Sequence, residues 1–147
     1  LQLDQAAAAE GWLRQALDQD AADFRTSFLC ARSLRQQEKN AEAEAVEQRL
    51  KVMEADIKRL QKIIKNDINR APDDPALRTE IGIILLRAGS NREGLQWLYS
   101  ALRRDPAHVP AHRALIAHFE ITGQPDQAAP HRRFLEGGAP EQSPPKQ

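Results

Sequence analysis

Between Pro75 and Pro106 the apolar residues come in two blocks at helical spacing, Leu77, Ile81, Ile84 and Leu85, then Leu95, Leu98, Ala101 and Leu102, parted by the turn-forming run AGSN. Gly89 supplies the stop for the first helix and Pro106 the stop for the second. Two helices joined by so short a turn fold back on each other, so the stretch predicts an antiparallel helical hairpin. Shifting the sequence by 34 residues lays this pattern on the next segment: Leu85 falls on Phe119, Gly89 on Gly123, Gly94 on Ala128 and Ala101 on Leu135. A hairpin repeated in tandem buries its apolar faces by stacking on its neighbours. That predicts an all-α, helical-hairpin repeat solenoid.

The N-terminal half carries the same repeat in degraded form. The small residue that opens a second helix is Ala43 in one unit and Gly94 in the next, 51 residues apart, one repeat plus 17. The extra residues fall between Ala43 and Ala71, where there is no Gly or Pro, so they predict one elongated central helix. Helices are expected at Asp4 to Gln19, Ala21 to Gln36, Ala41 to Asn69, Pro75 to Arg87, Arg92 to Arg104, Val109 to Ile121 and Pro125 to Leu135, with Glu54 to Asp56 as the candidate place for a break in the long one. A repeat domain is expected over 1–136. The tail 137–147, GGAPEQSPPKQ, is too rich in Gly and Pro to pack and is expected to be disordered.

Composition narrows the function. Lys plus Arg equals Asp plus Glu at 21 each, so no global field recruits nucleic acid or an anionic membrane. No apolar run approaches the length of a membrane span. A single cysteine, Cys30, excludes an internal disulfide and a multi-cysteine zinc site, and its setting SFLCARSL predicts a small buried apolar role. There is no Gly-rich phosphate loop, zinc-protease motif or nucleophile elbow, and the chain reads as non-catalytic with no cofactor. Nothing in it names a compartment.

Ile81, Gly82, Leu85, Gly94, Leu98, Ala101 and Pro106 match, at the right intervals, the signature of the tetratricopeptide repeat, which the chain resembles from about Ala9 to Leu135. Arg78 stands where that family prefers Trp, and Arg132 where it prefers an aromatic. Gly82, Gly94 and Ala101 let two helices cross closely. Pro130 falls inside the last helix, where it removes a backbone bond, an irregularity that suits a terminal capping repeat. The resemblance implies a concave face that binds a protein or peptide partner. Its lining would be Arg25, Phe28, Arg32 and Arg35 in the first full unit, Thr79, Ile83, Leu86 and Arg87 in the next, and Arg113 with Glu120 in the last. The three arginines at 25, 32 and 35 share a helical face and suit an acidic peptide or a terminal carboxylate, or else form a solvated face balanced by nearby carboxylates.

A second binding mode is written in the long helix. Val46, Leu50, Met53, Ile57, Leu60, Ile64 and Ile68 follow one another at intervals of three or four residues, close to a coiled-coil seam. Such a seam is covered either by internal packing or by a second chain, and the latter makes the protein a homodimer. His108 and His112, four apart, invite a metal, but Pro110 lies between them and no carboxylate or cysteine completes a set, so no metal site is expected. Trp12 and Trp97 are expected as core or inter-helix contacts.

Overall fold

The computed structural model describes residues 8–15 and 23–137, and every regular element among them is a helix. These are α1 (8–15), α2 (Phe24–Gln36), α3 (Asn40–Lys62) with a wider π turn at Ile63–Asp67, α4 (Ile68–Arg70), α5 (Pro75–Arg87), α6 (Asn91–Arg104), α7 (Val109–Ile121) and α8 (Pro125–Leu135). The chain divides into two compact units, Leu1–Ile63 and Ile64–Gln147. The tail beyond Gly137 and half of the helix expected at Asp4 to Gln19 lie outside the described residues.

α5, α7 and α8 run over the expected residues, and α6 begins one residue early. α2 differs at its start, because Asp23 is the N-cap: its carboxylate accepts the Arg25 N–H at 3.0 Å and the Thr26 hydroxyl. The long helix differs too. It runs unbroken through Glu54 to Asp56 and departs from α geometry only at Ile63–Asp67. No Gly, Pro or Asn at 54–56 gives the backbone a reason to break there.

Three helices end alike. Glu38, Gly89 and Gly123 take positive φ of 60°, 82° and 70°. The residue after each donates its N–H back over the helix end, Lys39 to Leu34 (3.0 Å), Ser90 to Leu85 (2.9 Å) and Gln124 to Phe119 (2.7 Å). This is the left-handed cap in which glycine is cheapest. Glu38 and Gly89 are 51 residues apart and Gly89 and Gly123 are 34 apart, so the displaced repeat read from Ala43 and Gly94 is the spacing of the caps as well.

In the first unit α2 packs on α3, and Cys30, Leu34 and Ala43 form a core sealed by Leu13 and Val46. In the second, α5 pairs with α6 and α7 with α8, while α7 lies against both α5 and α6. Leu98, Leu115, Phe119 and Ala128 are its buried centre, with Ile83, Leu86, Leu95, Leu102, Ala114 and Ile116 packed around them. The α5–α6 crossing depends on two glycines: a Cβ on Gly82 would stand 2.9 Å from the Gly94 carbonyl oxygen, and one on Gly94 would stand 3.0 Å from that of Gly82.

α3 outruns its partner. At 23 residues against 13 it is longer than α2 by ten residues, about 15 Å. Alongside α2 it buries Leu50, but Ile57, one heptad on and on the same stripe, is 52% exposed. Ile63, fully buried, lies round the opposite side of the helix from Leu50.

Candidate partner-binding surface

The capping carboxylate of Asp23 fixes where α2 starts and so which residues face outward. Ser27, Cys30, Ala31 and Leu34 turn in, and Arg25, Phe28 and Arg32, spaced three and four apart, turn out. Phe28 is 54% exposed, with Phe24 and Leu29 also exposed beside it. No ion pair engages Arg25 or Arg32 among the described residues.

Arg35 is different. Its Nε and Nη2 donate to the two carboxylate oxygens of Glu47 on α3 at 3.0 and 2.9 Å, and Nη1 donates to Asn40 Oδ1 at 3.0 Å. The pairing raises the arginine pKa and lowers that of Glu47. At this end of the arginine row a neighbouring carboxylate balances the charge, and among the described residues no ion pair does so for Arg25 or Arg32.

The lining expected in the second unit is uneven. Thr79 is only 3% exposed and its hydroxyl donates to the Pro75 carbonyl at 2.8 Å, so it is an interior residue, a correction to its expected surface role. Ile83 and Leu86 are half-buried against the Leu98–Phe119 core. Arg87 and Arg113 are exposed. Glu120 pairs with Arg132 of α8. The residue where the family prefers Trp is put to other use: the Arg78 guanidinium lies 5.7 Å from the Trp97 ring centroid and donates to Ser100 Oγ (3.1 Å) and the Pro72 carbonyl (2.6 Å). It thereby ties the turn before α5 to α6, and Trp97 is the inter-helix contact expected of it.

The seam residues divide. Leu50 is buried and Met53 and Leu60 are half-buried, whereas Ile57 and Ile64 (62%) are exposed. The buried residue at the seam's end is Ile63, which the heptad spacing passes over. Trp12 is also corrected, being 74% exposed on α1.

Two groups were not visible as pairs in the sequence. Glu10, two residues and so roughly half a turn from Trp12, is buried and accepts from Arg14 Nε, Gln37 Nε2 and Lys39 Nζ, each at 2.8 Å. Lys39 and Arg14 hold its carboxyl down to about 2. His112 pairs with His131, 19 residues on, instead of His108, which sits 3.8 Å from Asp105. Among the described residues no group of three or more His, Cys, Asp or Glu is gathered as a metal would need. Cys30 is buried, and burial pushes its thiol up, away from a reactive thiolate. No helix among the described residues is long and apolar enough to cross a membrane.

The family model for the tetratricopeptide repeat matches residues 55–135, over half of the 147. A search of curated proteins finds no match to the sequence.

Proposed function

This chain belongs to the tetratricopeptide repeat family, whose hairpins generally serve as non-catalytic protein-interaction modules, and on that premise we propose that it binds a protein partner through the outer face of α2. The observation carrying the reading is Phe28, more than half exposed with Arg25 and Arg32 about one turn to either side. An aromatic ring left in water is a site of unspent apolar burial. Two cations roughly 10 Å apart along the axis select a segment with a carboxylate on each side of an apolar residue. Arg113, and Ile83, Leu86 and Arg87 where their exposed edges allow, are the proposed contacts of the second unit; Arg35 contributes only if a ligand displaces Glu47.

The test is selection from a peptide array in which Phe or Leu is flanked by Asp or Glu at varied spacing. Binding should fall at least tenfold in Phe28→Ala and in Arg32→Glu and hold in Arg103→Glu, on the exposed side of α6. Equal binding by all four proteins sinks the reading. A second reading rests on Ile57: an isoleucine half open to water on a coiled-coil stripe suits a copy of the same helix. Light scattering over a dilution series decides it, since a dimer that persists on dilution and is lost in Ile57→Glu makes the seam the interface.

A further inference from the structure

α7 and α8 are joined by a histidine couple that the repeat does not require. His112 Nδ1 and His131 Nδ1 stand 2.9 Å apart, and His112 Nε2 stands 2.9 Å from the Pro106 carbonyl oxygen. A carbonyl only accepts, so His112 carries its proton on Nε2 and presents a lone pair at Nδ1. The 2.9 Å contact between rings then makes His131 the donor, with its proton on Nδ1 and its lone pair on Nε2. Four ring nitrogens share two protons, and both protons are in hydrogen bonds.

We propose that this couple is a proton-operated latch, holding α8 on α7 while both rings are neutral and releasing it when the pair is protonated. The first added proton goes to His131 Nε2 and keeps the bond to His112, but it leaves a cation in a partly covered place. Burial, and then the neighbouring His112, hold His131 below the ordinary imidazole value. A second proton can enter only at His112 Nδ1. It sets two N–H groups against each other across 2.9 Å and two cations with ring centres 5.1 Å apart.

Among the described residues, none of the groups in contact with the pair relieves that charge. From α6 comes Tyr99, its ring 6.2 Å from that of His131 and its phenol pushed up by burial, hence neutral. From α7 comes Phe119, stacked on His131 at 6.4 Å, and from α8 Phe134, stacked on His112 at 4.2 Å. The turn between α6 and α7 contributes the Pro106 carbonyl, while its Asp105 turns to His108 and Glu120 is taken by Arg132. Among the described residues no carboxylate bonds either ring of the couple.

α8 is also the helix on which the loss tells most. It has 11 residues with Pro130 inside, so it lacks one of its own backbone bonds, and only Ala128 of its residues is fully buried. Because His131 titrates below its unfolded value, the stability that the neutral couple gives α8 is fully present above about pH 6.5 and declines as the pH falls below that.

Hydrogen exchange on the whole chain, corrected for intrinsic rates, tests this at pH 7.5 and 5.0. Protection across Pro125–Leu135 should drop at least tenfold more than across Pro75–Arg87, reversibly. His131→Gln, whose amide still donates to His112 but does not titrate, should remove most of that difference. Nitrogen NMR of the unmodified protein at pH 7.5 should find His112 protonated on Nε2 and His131 on Nδ1. Parallel loss of protection in α5 and α8, an undiminished pH response in His131→Gln, or either ring in the other tautomer overturns the proposal; the tautomer measurement decides it even where the variant fails to fold.

Discussion

Gly82→Ala places a single methyl where α5 and α6 cross. The change also improves an α-helix, because Ala is better than Gly in a helix interior by about 0.8 to 1 kcal/mol. The new Cβ, however, would meet Leu98 Cγ at 2.8 Å and the Gly94 carbonyl oxygen at 2.9 Å. Leu98 is fully buried and has no solvent-side rotamer to retreat to, and the carbonyl is backbone, so the helices themselves must part by roughly half an ångström. Overpacking of this kind costs about 1 to 3 kcal/mol, and separation also loosens Leu98 against Leu115 and Phe119. The net expectation is a loss of about 1 kcal/mol, a fall of about 4 to 8 °C in Tm for a unit of this size. Gly11→Ala is the internal control, since no atom lies within 4 Å of a Cβ there and only the propensity gain operates. Thermal unfolding by circular dichroism should therefore give shifts of opposite sign. If Gly82→Ala raises Tm as Gly11→Ala does, the close crossing is not what the two glycines provide.

Glu38→Gly relieves the one side chain held at positive φ among the described residues, and should stabilise the first unit by about 0.5 to 1 kcal/mol in denaturant unfolding. Glu10→Gln removes a carboxylate whose folded pKa is about 2 against an ordinary 4.5. Its contribution is fully present above the unfolded value and is lost as the pH falls toward 2; because Arg14 and Lys39 are half open to water it amounts to about 1 to 2 kcal/mol, so the stability gap between the two proteins should be constant above pH 5 and close on acidification. Ile63→Glu buries a charge without a partner and should cost more than 3 kcal/mol, whereas Ile57→Glu on the exposed stripe should cost under about 1 kcal/mol, both read by urea unfolding.

The second unit was legible because its punctuation is explicit. Gly89 and Gly123 take the left-handed caps, Pro75 and Pro125 open helices, and α5, α7 and α8 follow with bounds intact. In the first unit the equivalent cap is Glu38, a residue that carries no sequence signal for positive φ, and only the 51-residue spacing betrays it. The π turn at Ile63–Asp67 left no mark because a heptad count assumes uniform winding. Pairings across helices were the least visible: Arg35 with Glu47, Glu10 with Lys39 and His112 with His131 lie 12, 29 and 19 residues apart, beyond the reach of helical periodicity.

Residues 28, 79 and 113 show why equivalent positions do not imply equivalent function. They are related by the same two spacings that relate the caps, and each falls at the same place on the first helix of its hairpin. Yet Phe28 is exposed, Thr79 is interior and bonded to its own helix, and Arg113 is exposed and polar. The repeat fixes the backbone path, since caps and close crossings admit few residue types, while the residue at an outward position is constrained only by what it meets. A small β-branched hydroxyl satisfies itself on the preceding turn when covered; a phenylalanine has no such recourse, and the half of Phe28 still in water forgoes about 1 to 1.5 kcal/mol of burial. An exposed aromatic between two arginines is thus a place, among the described residues, where the fold has no internal use for the side chain, and that is the ground for proposing a partner there.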